Sequence, residues 1–140
     1  MNRRLAVALL ALAAFPALAP AVQAGGRPIP MKEIIDAPVP WPGGNEGKVE
    51  QVQRAVFAGL RSKGWTATLA APGKAHAYIQ KPDWRCEIDV TFNTKSYSIT
   101  YSNSEHLDYN AEAHVIHRNF NRWLLLLQEQ INLAMSLQAG

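Results

Sequence analysis

The fold is decided by the stretch WRCEIDVTFNTKSYSITYS at residues 84–102. Apolar and polar residues alternate along it with a period of two, which is typical of β-strands that bury one face. The interruption at Thr94-Lys95 is short enough for a two-residue hairpin loop. Such a loop predicts three facing pairs: Phe92 with Tyr97, Val90 with Ile99, and Ile88 with Tyr101.

Two more strands are predicted upstream of this hairpin. Residues 65–69 and 75–80 alternate in the same way, and turns that contain proline separate the runs. A two-residue loop at Lys81-Pro82 predicts two further facing pairs: Ile79 with Trp84, and Ala77 with Cys86. The sequence therefore predicts a four-stranded antiparallel meander with one apolar and one polar face.

A helix is predicted on each side of the meander. Residues 48–63 place valine and leucine at three- and four-residue steps, and Gly64 follows as a stop signal. After a polar loop at 103–110, a second helix with a continuous apolar stripe is predicted up to about Leu137. Two helices on the apolar face of one sheet form a two-layer sandwich. Residues 48–138 are therefore predicted to form an α+β domain with the order helix, four-stranded antiparallel meander, helix.

The first 24 residues have the pattern of a signal peptide. Asn2-Arg3-Arg4 is cationic, residues 5–15 are apolar throughout, and Val22-Gln23-Ala24 fits a cleavage site. An apolar run of 11 residues spans about 16 Å as a helix, against a bilayer core of ~30 Å. We therefore expect cleavage near Ala24, no transmembrane span afterwards, and a periplasmic or secreted protein.

Cleavage would also change the charge balance. The net charge of the full chain is +3, and the loss of Arg3 and Arg4 lowers it to 3 − 2 = +1. Nucleic-acid binding depends on dense positive charge, so nucleic acid is not an expected partner of the mature chain.

The segment between the signal peptide and the domain is rich in proline. Residues 25–47 hold five prolines and the pair Gly43-Gly44, so they are predicted to form an extended arm, attached to the domain through Ile34-Ile35 and Trp41. The second helix is apolar beyond one stripe, so Leu126 and Leu133 are predicted to be covered by the arm or to lie in a dimer contact. A homodimer or an envelope protein is the expected partner.

Cys86 is the single cysteine of the chain. Its place in the strand pattern points it towards the apolar face, so a buried, unreactive thiol is the favoured interpretation. An intermolecular disulfide in an oxidising compartment is the alternative.

Three of the four histidines fall within residues 104–117. A possible N3O ligand set for Zn²⁺ or Cu²⁺ consists of His106, Asp108, His114 and His117. His114 and His117 would share a helical face, and capping by the same residues is the competing interpretation. Ser104, His106 and Asp108 also carry the residue types of a hydrolase triad, although their spacing strains direct contact.

The polar face of the meander is predicted to carry mixed charge. Its residues include His76, Tyr78, Arg85, Glu87 and Asp89. An antiparallel sheet can leave such a face to water, and a surface for a ligand or peptide is the alternative.

Several short motifs in the second half of the chain resemble those of a known family. They are Tyr97-Ser98-Ile99-Thr100-Tyr101, the loop positions Ser104, Leu107 and Tyr109, and Ile116-His117-Arg118-Asn119-Phe120-Asn121-Arg122-Trp123. On these motifs the chain resembles, over about residues 49–131, a family of small exported proteobacterial proteins of unknown function, many described as lipoproteins. It departs from that family at Phe120, where tyrosine is usual, in a longer connection at 111–115, and in lacking a lipobox cysteine. The resemblance implies a cell-envelope location and no particular activity.

The matching residues also predict where a site would lie. They are Tyr101, Ser104, Tyr109, His117 and Asn121, which we expect to meet where the last helix joins the sheet. Their polar atoms would either hydrogen-bond the loop and stabilise this junction or line a binding pocket. We therefore expect a non-catalytic binding or association module of the cell envelope without a cofactor. A periplasmic Zn- or Cu-binding protein and a small hydrolase are the alternatives.

Overall fold

The predicted α+β sandwich is confirmed in the computed structural model, which describes residues 27–138. The predicted signal peptide, residues 1–24, lies outside the described residues. The elements in chain order are β1 (Ile29–Pro30), β2 (Ile34–Pro38), a 3-10 turn (Pro42–Gly44), α1 (Val49–Ser62), β3 (Thr66–Ala71), β4 (Lys74–Gln80), β5 (Arg85–Phe92), β6 (Ser96–Glu105), β7 (Val115–Ile116) and α2 (Asn119–Ser136).

The proline-rich arm adds a strand to the meander. Within residues 27–138 the main sheet has five antiparallel strands in the order β2-β6-β5-β4-β3, where the sequence predicted four. β2 pairs along the edge of β6, and β1 pairs with β7 in a separate two-stranded sheet. Trp41 attaches the end of the arm as predicted, because its indole N–H donates to the Thr94 carbonyl at 2.6 Å. Prolines confine such segments to sheet edges, so local sequence does not reveal them as strands.

The predicted register is correct for one hairpin and shifted for the other. All three pairs predicted between β5 and β6 are present. Between β4 and β5, Ile79 faces Cys86 and Ala77 faces Ile88, two residues away from the predicted partners. The loop is longer than predicted because it closes with a hydrogen bond from the Lys81 N–H to the Trp84 carbonyl at 2.8 Å. Since side chains alternate with a period of two, this shift leaves each one on its predicted face.

The start of the second helix was predicted wrongly. α2 begins at Asn119, whereas the sequence placed the start directly after the loop at 103–110. The residues in between bond to the arm: Val115–Ile116 forms β7, and the Met31 N–H donates to the His114 carbonyl at 2.9 Å. These are contacts between distant parts of the chain, which helical periodicity cannot anticipate.

The apolar side chains cluster between the sheet and the two helices. Ile88, Val90 and Ile99 from the sheet and Leu127 from α2 are fully buried, as the layered arrangement requires. Cys86 is buried too, as predicted, and burial raises the pKa of its thiol to about 12.

The two helices approach each other closely at Gly59. A Cβ atom at this position would lie 2.8 Å from Ile131 Cγ1 and 3.0 Å from the Ile131 backbone nitrogen. A larger residue could therefore be accommodated only if α2 moved, and glycine is required by packing rather than by backbone conformation.

The outer surface of α2 is partly apolar. Leu133 is 51% exposed and Leu125 is 54% exposed, so the arm does not cover Leu133. The other option, a dimer contact at Leu133, stays a prediction. Within residues 27–138, neither helix has the length and apolar character needed to cross a bilayer.

Candidate functional site

Three of the residues predicted to form a site meet at the end of β6. We call Tyr101, Ser104 and Tyr109 the tyrosine junction. The Tyr101 and Ser104 hydroxyls lie 2.7 Å apart, and the rings of Tyr101 and Tyr109 stack with centroids 4.0 Å apart. A bulge in β6 makes this possible: β5 pairs with Tyr101 and then with Asn103, so Ser104 returns to the face of Tyr101.

The other two predicted residues, His117 and Asn121, lie at the start of α2 and make hydrogen bonds of their own. His117 precedes α2, and its Nδ1 accepts a hydrogen bond from the Asn119 N–H at 3.1 Å. Asn121 holds the arm: its Oδ1 accepts from the Lys32 N–H at 2.9 Å, and its Nδ2 donates to the Pro30 carbonyl at 3.0 Å. These bonds fix the start of α2 and the position of β1.

The predicted metal-binding residues are spread along the loop after β6. His106, Asp108 and His114 have positive φ values of 61°, 56° and 55°. Aspartate and histidine tolerate this left-handed conformation better than most residues, which explains their presence in the loop without a metal. His114 and His117 share no helical face, because α2 begins after both. In the described part of the chain, no three histidine, cysteine or acidic side chains are arranged to hold one ion.

An open, polar cavity of about 590 Å³ lies beside the tyrosine junction. Its lining includes Tyr101, Ser104, His106, Asp108 and Tyr109. The cavity thus brings together three of the predicted binding residues and two of the predicted metal ligands, and it excludes His117 and Asn121.

The polar sheet face carries a connected set of charged side chains, His76, Arg85, Glu87 and Asp89, which we call the polar network. His76 Nδ1 lies 2.8 Å from Asp89 Oδ1, and its Nε2 lies 2.9 Å from Glu87 Oε1. Arg85 Nε donates to the second oxygen of Glu87 at 3.0 Å. The hydrogen bond with Asp89, followed by that with Glu87, raises the pKa of His76 against the opposing effect of burial. The charges of the network are therefore largely satisfied by one another.

A largely apolar cleft of about 260 Å³ was not among the predicted sites. We call it the tryptophan cleft, and its lining consists of Lys63, Trp65, Ile79, Lys81, Trp84, Trp123 and Leu126. Trp84 and Trp123 stack with ring centroids 4.7 Å apart and planes 17° from parallel. The α1–β3 connection, the end of β4 with its loop, and α2 each contribute part of the wall.

The polar side chains of the tryptophan cleft are all hydrogen-bond donors. Within residues 27–138, Lys63 and Lys81 form no ion pair, and the indole N–H groups of Trp65, Trp84 and Trp123 have no protein acceptor, unlike that of Trp41. Trp65 is only 4% exposed. The lining contains no acidic residue. The cleft therefore combines an apolar wall with side-chain hydrogen-bond donors that have no partner among the described residues.

A local signal in the sequence could have suggested this cleft. Lysine precedes tryptophan by two residues at Lys63-Gly64-Trp65 and by three at Lys81-Pro82-Asp83-Trp84. Both pairs lie at turns, where a basic and an aromatic side chain can reach the same surface. Trp123 comes from a distant part of the chain, so the complete wall could be seen only in the fold.

Comparisons with known proteins do not assign the chain to a family. No protein-family model matches it, and no curated protein matches it. The resemblance to small exported envelope proteins therefore stays a prediction from the sequence motifs.

Proposed function

We propose that this protein is an exported, non-catalytic binding module of the cell envelope and that its ligand site is the tryptophan cleft. The observation that carries the proposal is the apolar wall of stacked Trp84 and Trp123. Ligand pockets are typically lined by aromatic and apolar side chains with a few polar groups at defined positions. Here Ile79 and Leu126 extend the apolar wall, and two lysines supply the charged groups.

Binding at this cleft would be driven mainly by the burial of apolar surface. A ligand placed against the tryptophan rings removes its own apolar area and that of the cleft from water, which contributes roughly 25 cal/mol per Å². At roughly 30 Å³ per non-hydrogen atom, the volume of a liquid water molecule, the 260 Å³ cleft accommodates a body of about nine such atoms.

The polar clusters support binding rather than catalysis. The Ser104 hydroxyl bonds to Tyr101 rather than to a histidine, so it is not positioned next to a general base. Both ring nitrogens of His76 contact carboxylates, so that imidazole is not directed towards a nucleophile.

The binding proposal can be tested with three eight-carbon probes, 1-octanol, octanoate and octylammonium, each titrated below its aggregation concentration. Trp41→Phe removes the tryptophan that lies outside the cleft, so the remaining fluorescence reports mainly on the cleft. We expect a saturable fluorescence change with at least one probe. If none of the three produces a saturable change, the proposed function is wrong.

Two adjacent leucines provide a matched pair of variants. Leu126→Asn removes apolar surface inside the cleft, whereas Leu125→Asn makes the same change on the exposed face of α2. We expect the first to weaken probe binding several-fold and the second to leave it unchanged. An equal effect of both variants would place the probe outside the cleft and contradict the proposal.

Export is tested separately from binding. The full chain and a Leu9→Arg, Leu10→Arg variant, which interrupts the apolar run of the predicted signal peptide, are expressed in a bacterium and fractionated. We expect the unmodified chain in the periplasm or medium, shortened near Ala24, and the variant in the cytosol. Retention of the unmodified chain in the cytosol would contradict the proposed location.

A further inference from the structure

We infer that the tryptophan cleft selects a small amphiphilic carboxylate, an apolar chain or ring with a carboxylate group at one end. The inference rests on the proposed function and adds the chemical class of the ligand. It follows from a different property of the cleft, the nature of its polar groups, and not from its apolar wall.

Hydrogen-bond complementarity gives the first argument. The five polar side chains of the lining are Lys63, Lys81, Trp65, Trp84 and Trp123, and each of them can only donate. An ionised carboxylate can only accept, so each of its oxygens can find a partner there. An alcohol or an amine would bring donors of its own to a wall that lacks side-chain acceptors.

The buried tryptophan strengthens this argument. Indole N–H groups in protein interiors usually have an acceptor. Trp65 is 4% exposed, yet its N–H has none among residues 27–138, whereas the indole of the less buried Trp41 bonds to Thr94. A ligand that supplied an acceptor would give the Trp65 N–H a hydrogen-bond partner.

Charge gives the second argument. Lys63 caps the end of α1 and Lys81 begins the β4–β5 loop, so two separate elements each place a lysine at the cleft. Neither forms an ion pair within the described residues, and Asp83, in the same loop as Lys81, does not line the cleft. Near the end of α1, the Leu60 and Arg61 carbonyls accept hydrogen bonds from the N–H groups of residues 63–65.

The three probes of equal chain length test the inference directly. We expect octanoate to bind about three- to tenfold more tightly than 1-octanol and octylammonium to bind most weakly, since each exposed charge contact contributes modestly. The advantage of octanoate over 1-octanol should decrease as the salt concentration rises, because screening weakens interactions between exposed charges.

Charge-reversal variants test whether the preference for octanoate over 1-octanol comes from the two lysines of the cleft. Lys63→Glu and Lys81→Glu should each weaken octanoate binding several-fold and leave 1-octanol binding nearly unchanged. Lys48→Glu is the matched control: Lys48 and Lys63 cap opposite ends of the 14-residue α1, so about 21 Å of helix separates them. All three lysines are exposed, so we expect each variant to fold, and thermal melts of the three variants check this.

The outcomes separate this inference from the proposed function. Equal binding of octanoate and 1-octanol, or tightest binding of octylammonium, would overturn the carboxylate inference and leave the binding module standing. Failure of all three probes would overturn both. An octanoate preference that persists in both cleft variants and is lost in Lys48→Glu would also overturn the inference, because the anion would then bind elsewhere.

Discussion

Two stacked aromatic pairs in this protein have similar geometry and different surroundings. The rings of Tyr101 and Tyr109 are 4.0 Å apart, and those of Trp84 and Trp123 are 4.7 Å apart. In the tyrosine junction, a hydroxyl bonds to Ser104 within the same strand. In the tryptophan cleft, the indole donors have no acceptor in the described chain. The Tyr101 hydroxyl has a protein partner, whereas the indole N–H groups of the second pair have none among residues 27–138, and the proposed ligand site lies at the second pair.

The largest effect should come from breaking the tyrosine pair. Tyr101→Ala removes the stack with Tyr109, the edge contact with Phe120 and the bond to Ser104, so the free energy of unfolding should fall by about 3 kcal/mol. Tyr101→Phe removes only the hydroxyl and should cost about 1 kcal/mol. Urea denaturation measures both. A cost for Tyr101→Ala no greater than that for Trp84→Ala would contradict the comparison.

The next effect concerns the arm that lies close to the junction. Asn121→Ala removes both hydrogen bonds to β1 and its flank, so unfolding free energy should fall by about 1–3 kcal/mol and the amides near Lys32 should exchange faster. Arg122→Ala, at the exposed neighbouring position, is the control and should change neither. Equal exchange rates in both variants would show that Asn121 does not hold the arm.

Breaking the tryptophan pair should lower the free energy of unfolding less than breaking the tyrosine pair does, and it should weaken probe binding more. Trp84→Ala removes a partly exposed stack, so unfolding free energy should fall by about 1 kcal/mol. Probe binding, measured by calorimetry because a fluorophore is lost, should become undetectable. Full retention of binding would show that the stack is structural, like the tyrosine pair.

The smallest effect is a pH dependence that separates stability from binding. The folded-state pKa of His76 is raised and that of its partner Glu87 is lowered. The ion pair therefore stabilises the protein fully between the ordinary values of 4.5 for Glu87 and 6.5 for His76, and this contribution is lost as the pH rises through the folded-state pKa of His76. We expect a loss of about 1 kcal/mol or less, because the network is open to solvent, and no such loss in His76→Gln.

Octanoate binding should stay constant over the same pH range. The lining of the tryptophan cleft contains no histidine or acidic residue. Parallel changes in stability and in octanoate affinity would show that the polar network and the cleft are coupled.

The sheet could be predicted from the sequence because its pattern is local. Alternation from Trp84 to Tyr101 fixed the faces and one complete hairpin register, and it placed Cys86 in the core. The predicted register of the β4–β5 hairpin was wrong by two residues. A shift of two residues keeps every side chain on its predicted face, whereas a shift of one would have exposed the apolar side chains.

The contacts of the arm and the cleft could not be predicted in this way. β2 is recognisable as a strand only beside the edge of β6, and the start of α2 depends on pairing between β1 and β7. Trp65, Trp84 and Trp123 form one wall only because three distant elements meet. Of the predicted binding residues, Tyr101, Ser104 and Tyr109 came together, since they follow one another closely along the chain. His106 lines the cavity beside them, whereas His117 does not.

The close contact at Gly59 connects helix packing with the dimensions of the cleft. Ile131, against which Gly59 lies, is on the same rigid helix as Trp123 and Leu126. A methyl group at residue 59 would act as a spacer between α1 and α2. A displacement of α2 would move Trp123 and Leu126 relative to Trp84 without altering any lining residue. The absence of a side chain at residue 59 of α1 therefore helps to set the position of α2 and, with it, the width of the tryptophan cleft.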